Sequence, residues 1–149
     1  MGIDKETIQK LRDETGAGVM DCKKALEEAD SDIEKAKEVI KEKGIILASK
    51  KSERKTGAGF LKAYIHNDRV GILMEIRAET DFAVKSDPFQ KLAHELAMQI
   101  AAMDPEDVDE LLEQPFVKNE SKTVGETIKE VVAEVGENIN VKNFVRYEV

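Results

Sequence analysis

The chain has 149 residues, 41% hydrophobic and 36% charged, with a formal net charge of −8. That profile fits one ordinary globular domain or two small ones, excludes a disordered chain, and disfavours nonspecific binding to nucleic acid. One cysteine, Cys22, excludes an intrachain disulfide framework and fits a reducing compartment, and no apolar run is long enough to span a membrane.

Near the start, Asp4 and Lys5 leave no signal-peptide core, and Glu6 stands where a myristoylation signal wants Ser or Thr. A cytoplasmic protein is expected. Asp4 is placed to cap a first helix with Ile8 and Leu11 on one face. The glycines of "TGAGVM" (15–20) break it. Asp21 is the expected cap of a second helix, with Cys22, Ala25, Leu26 and Ala29 on one side. "SDIE" (31–34) reads as a capping box, in which Ser31 takes a first-turn amide and Glu34 reaches back. Ile33, Ala36 and Ile40 line the third helix, and Lys41, Lys43 and Gly44 form its stop. Residues 1–44 thus read as a three-helix binding module with a thin core.

Residues 45–56 are basic, with Glu53 as the one acid. A phosphate-binding strip would want interleaved aromatics, and the whole chain is acidic. A solvated linker or helix extension is the favoured reading.

From residue 57 the hydrophobic period becomes two. Leu61, Ala63 and Ile65 alternate with Lys62, Tyr64 and His66. After "ND" (67–68), Val70, Ile72, Met74, Ile76 and Ala78 alternate with Gly71, Leu73, Glu75, Arg77 and Glu79. This predicts a β-hairpin with a tight turn and one apolar face that needs a cover. "SDPFQ" supplies a helix start, with Asp87 as cap, Pro88 at the first position and Gln90 at the third. Phe89, Leu92, Ala93, Leu96, Ile100 and Met103 follow at helical spacing, until Asp104 and Pro105 end the helix. A short acidic helix and a connector from Pro115 come next. "TVGE" (123–126) is a capping box for a helix with Ile128, Val131, Val132 and Val135 on one face, closed by Gly136. Ile139, Val141, Val145, Tyr147 and Val149 alternate as a last strand, which Asn143 interrupts. Residues 57–149 therefore predict an α+β unit in the order β-β-α-α-β: a three-stranded antiparallel sheet with helices on one face.

Chemistry-bearing residues are sparse. His66 and His94 have no second ligand at metal spacing, and Cys22 on its apolar helix side reads as a packed thiol. "GAGF" (57–60) lacks a P-loop Lys and reads as glycines that permit close approach at a strand start. The acids at 104–113 lack EF-hand order. No catalytic residue, cofactor or metal is expected, and no enzyme of covalent chemistry.

The connector "ETDFAVKSD" (79–87) poses the sharper question, because it places Asp81 and Phe82 between strand and helix. Phe82 could plug the sheet–helix core with Asp81 capping a turn, which the usual burial of aromatics favours. It could instead face outward as an anchor for a partner, since aromatics carry much of an interface's energy.

These segments resemble the elongation factor Ts family over nearly the whole chain. "LRDETGAGVMDCKKALEEADSDIEKA" looks like its N-terminal module, "ETDFAVKSDPFQKLAHELAMQIAAMDP" like its core motif, and "QPFVKN…KTVGETIKEVVAEVGENINVKNFVRYEV" like its C-terminal end. The resemblance implies a ubiquitin-associated-like helical module and nucleotide exchange on the GTPase elongation factor Tu, through its GDP-bound and nucleotide-free forms. It implies that Asp81 and Phe82 enter the partner's nucleotide domain and disturb its magnesium and phosphate site. By motif position it also implies contacts from Arg12, Val19, Met20 and Lys23, and from Val135 and Gly136. Val19 and Met20 have an equal claim to packing between the first two helices. Two departures stand out. Ala83 follows the Thr-Asp-Phe motif where the family usually has Val, and a short acidic segment replaces a longer insertion after "AMDP". A homodimer of two half-cores is expected for such short members, with no direct nucleic-acid or membrane partner. The alternatives are a helical adaptor with an unrelated second unit, and a nucleic-acid binder using the basic linker.

Overall fold

The structure, a computed structural model, describes residues 3–149, apart from the side chains of residues 45–51. The chain divides into two compact units, Met1–Leu47 and Ala48–Val149.

The first unit holds helices α1 (Lys5–Thr15), α2 (Val19–Glu28) and the start of α3 (Ile33–Lys51). Asp4 caps α1 by accepting the Thr7 N–H at 2.7 Å. Gly16 ends it at φ 74°, the left-handed geometry that suits glycine. Leu11, Cys22, Ala25, Leu26, Ala29 and Ala36 form a small core. Two expected caps move. Gly18 precedes α2, and Asp21 lies inside its first turn. Asp32, not Ser31, caps α3, because its carboxylate accepts the N–H groups of Glu34 (3.0 Å) and Lys35 (3.2 Å). Ser31 is instead held at φ 67° in the turn before it. Nor does Gly44 stop α3, which continues to Lys51. A helix-interior glycine costs about 1 kcal/mol, too little to end a helix whose next residues continue it. Most of the basic stretch read as a linker or helix extension, residues 45–51, lies outside the described side chains.

The second unit is α+β. Strands β1 (Ala58–His66), β2 (Val70–Ala78) and β5 (Ile139–Glu148) make an antiparallel sheet in the order β1-β2-β5. Asn67 and Asp68 turn the β1–β2 hairpin with φ of 49° and 58°. Helices α4 (Asp81–Val84), α5 (Asp87–Met103), α6 (Val108–Glu113) and α7 (Val124–Val135) complete it. A small hairpin of β3 (Pro115–Phe116) and β4 (Asn119–Thr123) lies where a plain connector was expected. The core joins Ile72, Met74 and Ile76 of β2 to Phe89, Leu92, Leu96 and Ile100 of α5 and Ile128 and Val132 of α7. Leu111 and Phe116 close it from α6 and β3. Ser86 rather than Asp87 caps α5, its hydroxyl accepting the Phe89 N–H.

The expected apolar face of the hairpin needs correcting. Leu61, Ala63 and Ile65 pair with Glu75, Leu73 and Gly71, and so share the face opposite the core. Leu61 and Ile65 are each 64% exposed. The helix-facing residues of β1 are Phe60, Lys62 and Tyr64, opposite Ile76, Met74 and Ile72. Strand β5 changes phase. Ile76 pairs with Val141 but Glu75 with Asn143, so the strand carries one extra residue at a bulge. Ile139 and Val141 are buried, whereas Val145 and Tyr147 beyond the bulge join the open face.

Candidate protein-binding site

The antiparallel register of β2 and β5 reaches Ala78 opposite Ile139. There the strand register ends: β2 leads on to α4, and β5 is entered from α7. Carboxylates link the two segments beyond it. Glu79 accepts the Asn138 N–H at 2.8 Å. Glu137 accepts the Thr80 N–H at 2.8 Å through one oxygen and the Thr80 hydroxyl at 2.7 Å through the other. The Thr80 oxygen also accepts the Ala83 N–H at 3.2 Å and so caps the single turn of α4. Thr80, not Asp81, is therefore the cap.

That turn divides its side chains sharply. Ala83 and Val84 are buried, while Asp81 is exposed and Phe82 is 87% exposed. The far end of α4 is also held: Ser86 Oγ donates to the Ala83 carbonyl at 2.6 Å, and Gln90 Nε2 to the Val84 carbonyl at 2.7 Å. Phe82 is no core plug. It is a large apolar side chain presented to water on a turn fixed at both ends, where leaving it exposed forgoes roughly 1.5–3 kcal/mol of burial.

Val135 and Gly136 are half-buried at the end of α7, and Gly136 closes that helix at φ 83°. Glu137, the next residue, reaches Thr80, so the structure brings this stretch beside the Asp81–Phe82 turn. In the first unit, Val19, Met20 and Lys23 share the exposed side of α2, opposite Cys22 and Leu26. Met20 is 60% exposed and Val19 47%, which removes the packing alternative for both. Arg12 is exposed in the last turn of α1.

The other candidates settle into structural places. Cys22 is buried, and its thiol lies 3.7 Å from the Ala17 carbonyl. Tyr64 stands between the histidines, bonded to His66 at 2.9 Å and edge-on to His94 at 5.6 Å. Gly59 makes room not for backbone but for the guanidinium of Arg77, 2.8 Å from where a Cβ would stand. Among the described residues no group of three His, Cys, Asp or Glu is arranged to hold a metal. None of their helices is long and apolar enough to cross a membrane. Sequence reading misses Thr80, Glu137 and Asn138. A threonine ahead of a helical turn could have flagged the first. Glu137 acts across 57 residues of chain and leaves no local signal.

The sequence model of the family described as Elongation factor TS matches residues 4–110 and 79–149. The chain belongs to the elongation factor Ts family. An elongation factor Ts of Coprothermobacter proteolyticus is 42% identical over 99% of this chain and 98% of its own length. That of Thermotoga neapolitana is 40% identical over 100% and 98%, and that of Carboxydothermus hydrogenoformans 39% over 99% and 89%. Each alignment runs over 193 positions, more than the 149 residues here, so these members of the elongation factor Ts family carry residues that this chain lacks. Membership makes the chain a translation elongation factor, in general the nucleotide-exchange partner of elongation factor Tu.

Proposed function

We propose that this chain speeds GDP release from elongation factor Tu by inserting the Asp81–Phe82 turn into the partner's nucleotide domain. The supporting observation is the exposure of Phe82 on a turn whose next two residues are buried. A preorganised anchor loses little freedom on docking, so more of its contact energy remains to oppose the nucleotide. A factor that binds the empty form better than the GDP form must weaken GDP by the same ratio. Magnesium bridges the nucleotide's phosphate oxygens, so an aromatic wedge and an acid beside that site loosen GDP with no covalent step. The helical unit acts as a separate docking module through Arg12, Val19, Met20 and Lys23, and Val135 and Gly136 add contacts beside the turn. The site of action is the cytoplasm.

We also infer a homodimer across the open sheet face. Ala63, Leu73 and Val145 form one row across the three strands, and Ile65, Gly71 and Tyr147 the next. A contiguous apolar patch of this kind on one side of a sheet favours burial, and a two-fold pairing lets the same face cover itself.

The test of exchange is release of fluorescent GDP from elongation factor Tu, chased with excess unlabelled GDP, with catalytic amounts of this protein. Marked acceleration is the expected result. Release at the intrinsic rate would overturn the reading.

A further inference from the structure

We propose that Glu137 is a positioning residue for exchange: its carboxylate, held on Thr80, fixes the direction in which Asp81 and Phe82 leave the surface. The inference rests on the proposed role of that turn and adds to it the residue that aims it.

Three observations carry it. First, the contact is two-pronged: one oxygen of Glu137 takes the Thr80 N–H and the other its hydroxyl, at 2.8 and 2.7 Å. Charge-assisted bonds to both oxygens fix orientation as well as distance. Second, Thr80 is spent at its other side on the Ala83 N–H. A single threonine thereby couples the carboxylate to the first turn of α4, and Phe82 lies inside that turn. Third, α4 has four residues and one helical turn, too short to persist without outside support. Its core-facing residues, Ala83 and Val84, set the depth of the turn; the clamp sets its entry. Glu79 forms the mirror contact, to the Asn138 N–H. That contact ties the chains together one step earlier but touches nothing in α4, so it serves as a control.

Wild type, Glu137→Ala, Glu137→Gln, Thr80→Val, the Glu137→Ala/Thr80→Val double variant and Glu79→Ala are compared as full chains in the GDP-release assay, over a range of factor concentration. Loss of the clamp should lower the saturating rate about tenfold, the scale of one lost charge-assisted hydrogen bond. The half-saturating concentration should change less, because the other contacts are intact. Glu137→Gln keeps an oxygen for the Thr80 N–H and should recover most of the rate. If Glu137 acts through Thr80, the double variant should be no worse than the poorer single one. Glu79→Ala, which loosens the same loops, should leave the saturating rate near wild type. Additive losses, or an unchanged saturating rate in Glu137→Ala, would overturn the clamp while wild-type exchange stands. A wild type without exchange activity would overturn both the clamp and the function on which it rests.

Discussion

Phe82 and Ala83 are neighbours in sequence and opposites in burial: the first is 87% exposed and the second 1%. The division follows from one helical turn lying flat on the end of the sheet, with successive side chains on different sides. Truncating the first should therefore affect function alone. Phe82→Ala is expected to abolish most of the acceleration of GDP release, with a melt shifted by no more than about 0.5 kcal/mol, as for other exposed sites. A loss of about 3–5 kcal/mol would instead mark a buried plug. Circular dichroism melts beside exchange rates separate the two.

Ala83 answers differently. Ala83 is 1% exposed, so the two added carbons of a valine there must fit among buried neighbours, and overpacking costs about 1–3 kcal/mol. Ala83→Val should lower the melting midpoint clearly while Phe82 remains in place to act. Equal stability would mean that the α4–sheet contact has slack.

Element types were largely legible from the sequence, and facing was not. Strand β1 alternates two sets that are both partly apolar, Leu61, Ala63 and Ile65 against Phe60 and Tyr64. Period two says that they point apart without saying which set meets the helices. The deciding facts are the pairing of Phe60 with Ile76 and the packing of Phe60 on Phe89, ring centroids 6.1 Å apart. In β5 the bulge reverses the phase between Val141 and Val145, and Asn143 was only a hint of it. Caps such as Asp32 and Ser86 each stand one residue from the expected one, because adjacent polar residues offer equivalent oxygens. The exposed Phe82 was open to two readings, and only the geometry of α4 chooses between them.

The open face gives the third prediction. Leu73 lies in the middle strand, between Ala63 and Val145, and is 47% exposed in the single chain. Light scattering at micromolar concentration should give the mass of a dimer for the wild type and of a monomer for Leu73→Lys. The lysine carries a charge into a face that two copies would dry, and a buried unpaired charge is costly. A monomeric wild type would remove the dimer.

The helical unit should respond to pH at both extremes. Lys37 of α3 bonds Glu14 of α1 and also Glu34. The hydrogen bond from Lys37 holds the Glu14 carboxyl below the ordinary glutamate value, and those from Glu14 and Glu34 hold the Lys37 ammonium above the ordinary lysine value. Glu14 therefore contributes stability above the ordinary carboxylate range, lost as pH falls through its lowered pKa. Lys37 contributes below the ordinary lysine value, lost as pH rises through its raised one. Melts should be flat near neutrality and fall on both sides. Added salt should shrink the effect, because the pair is partly exposed. Glu14→Gln should remove part of the acid arm; an unchanged acid arm would show that this pair does not contribute to it.

Truncation tests where the second unit begins to depend on what precedes it. The two cores share no residue, so removing residues 1–50 should leave the sheet unit folded while weakening partner binding. A few residues further on, the outcome should change. Asn138 is buried, and its side-chain N–H groups donate to the carbonyls of Ser52 at 3.2 Å and Arg54 at 2.7 Å. Arg77 donates to the carbonyls of Thr56 at 2.8 Å and Gly57 at 3.1 Å. The side chains of this stretch are mostly exposed, yet its backbone forms a strap across the end of the sheet. Removing residues 1–56 strips the partners of Asn138 and one of those of Arg77, and each buried donor left unpaired costs about 1–3 kcal/mol. The longer truncation should melt well below the shorter one. Equal melts for the two would mean that water replaces the strap at no cost, and collapse of the shorter one would mean that the sheet unit depends on the helical unit after all.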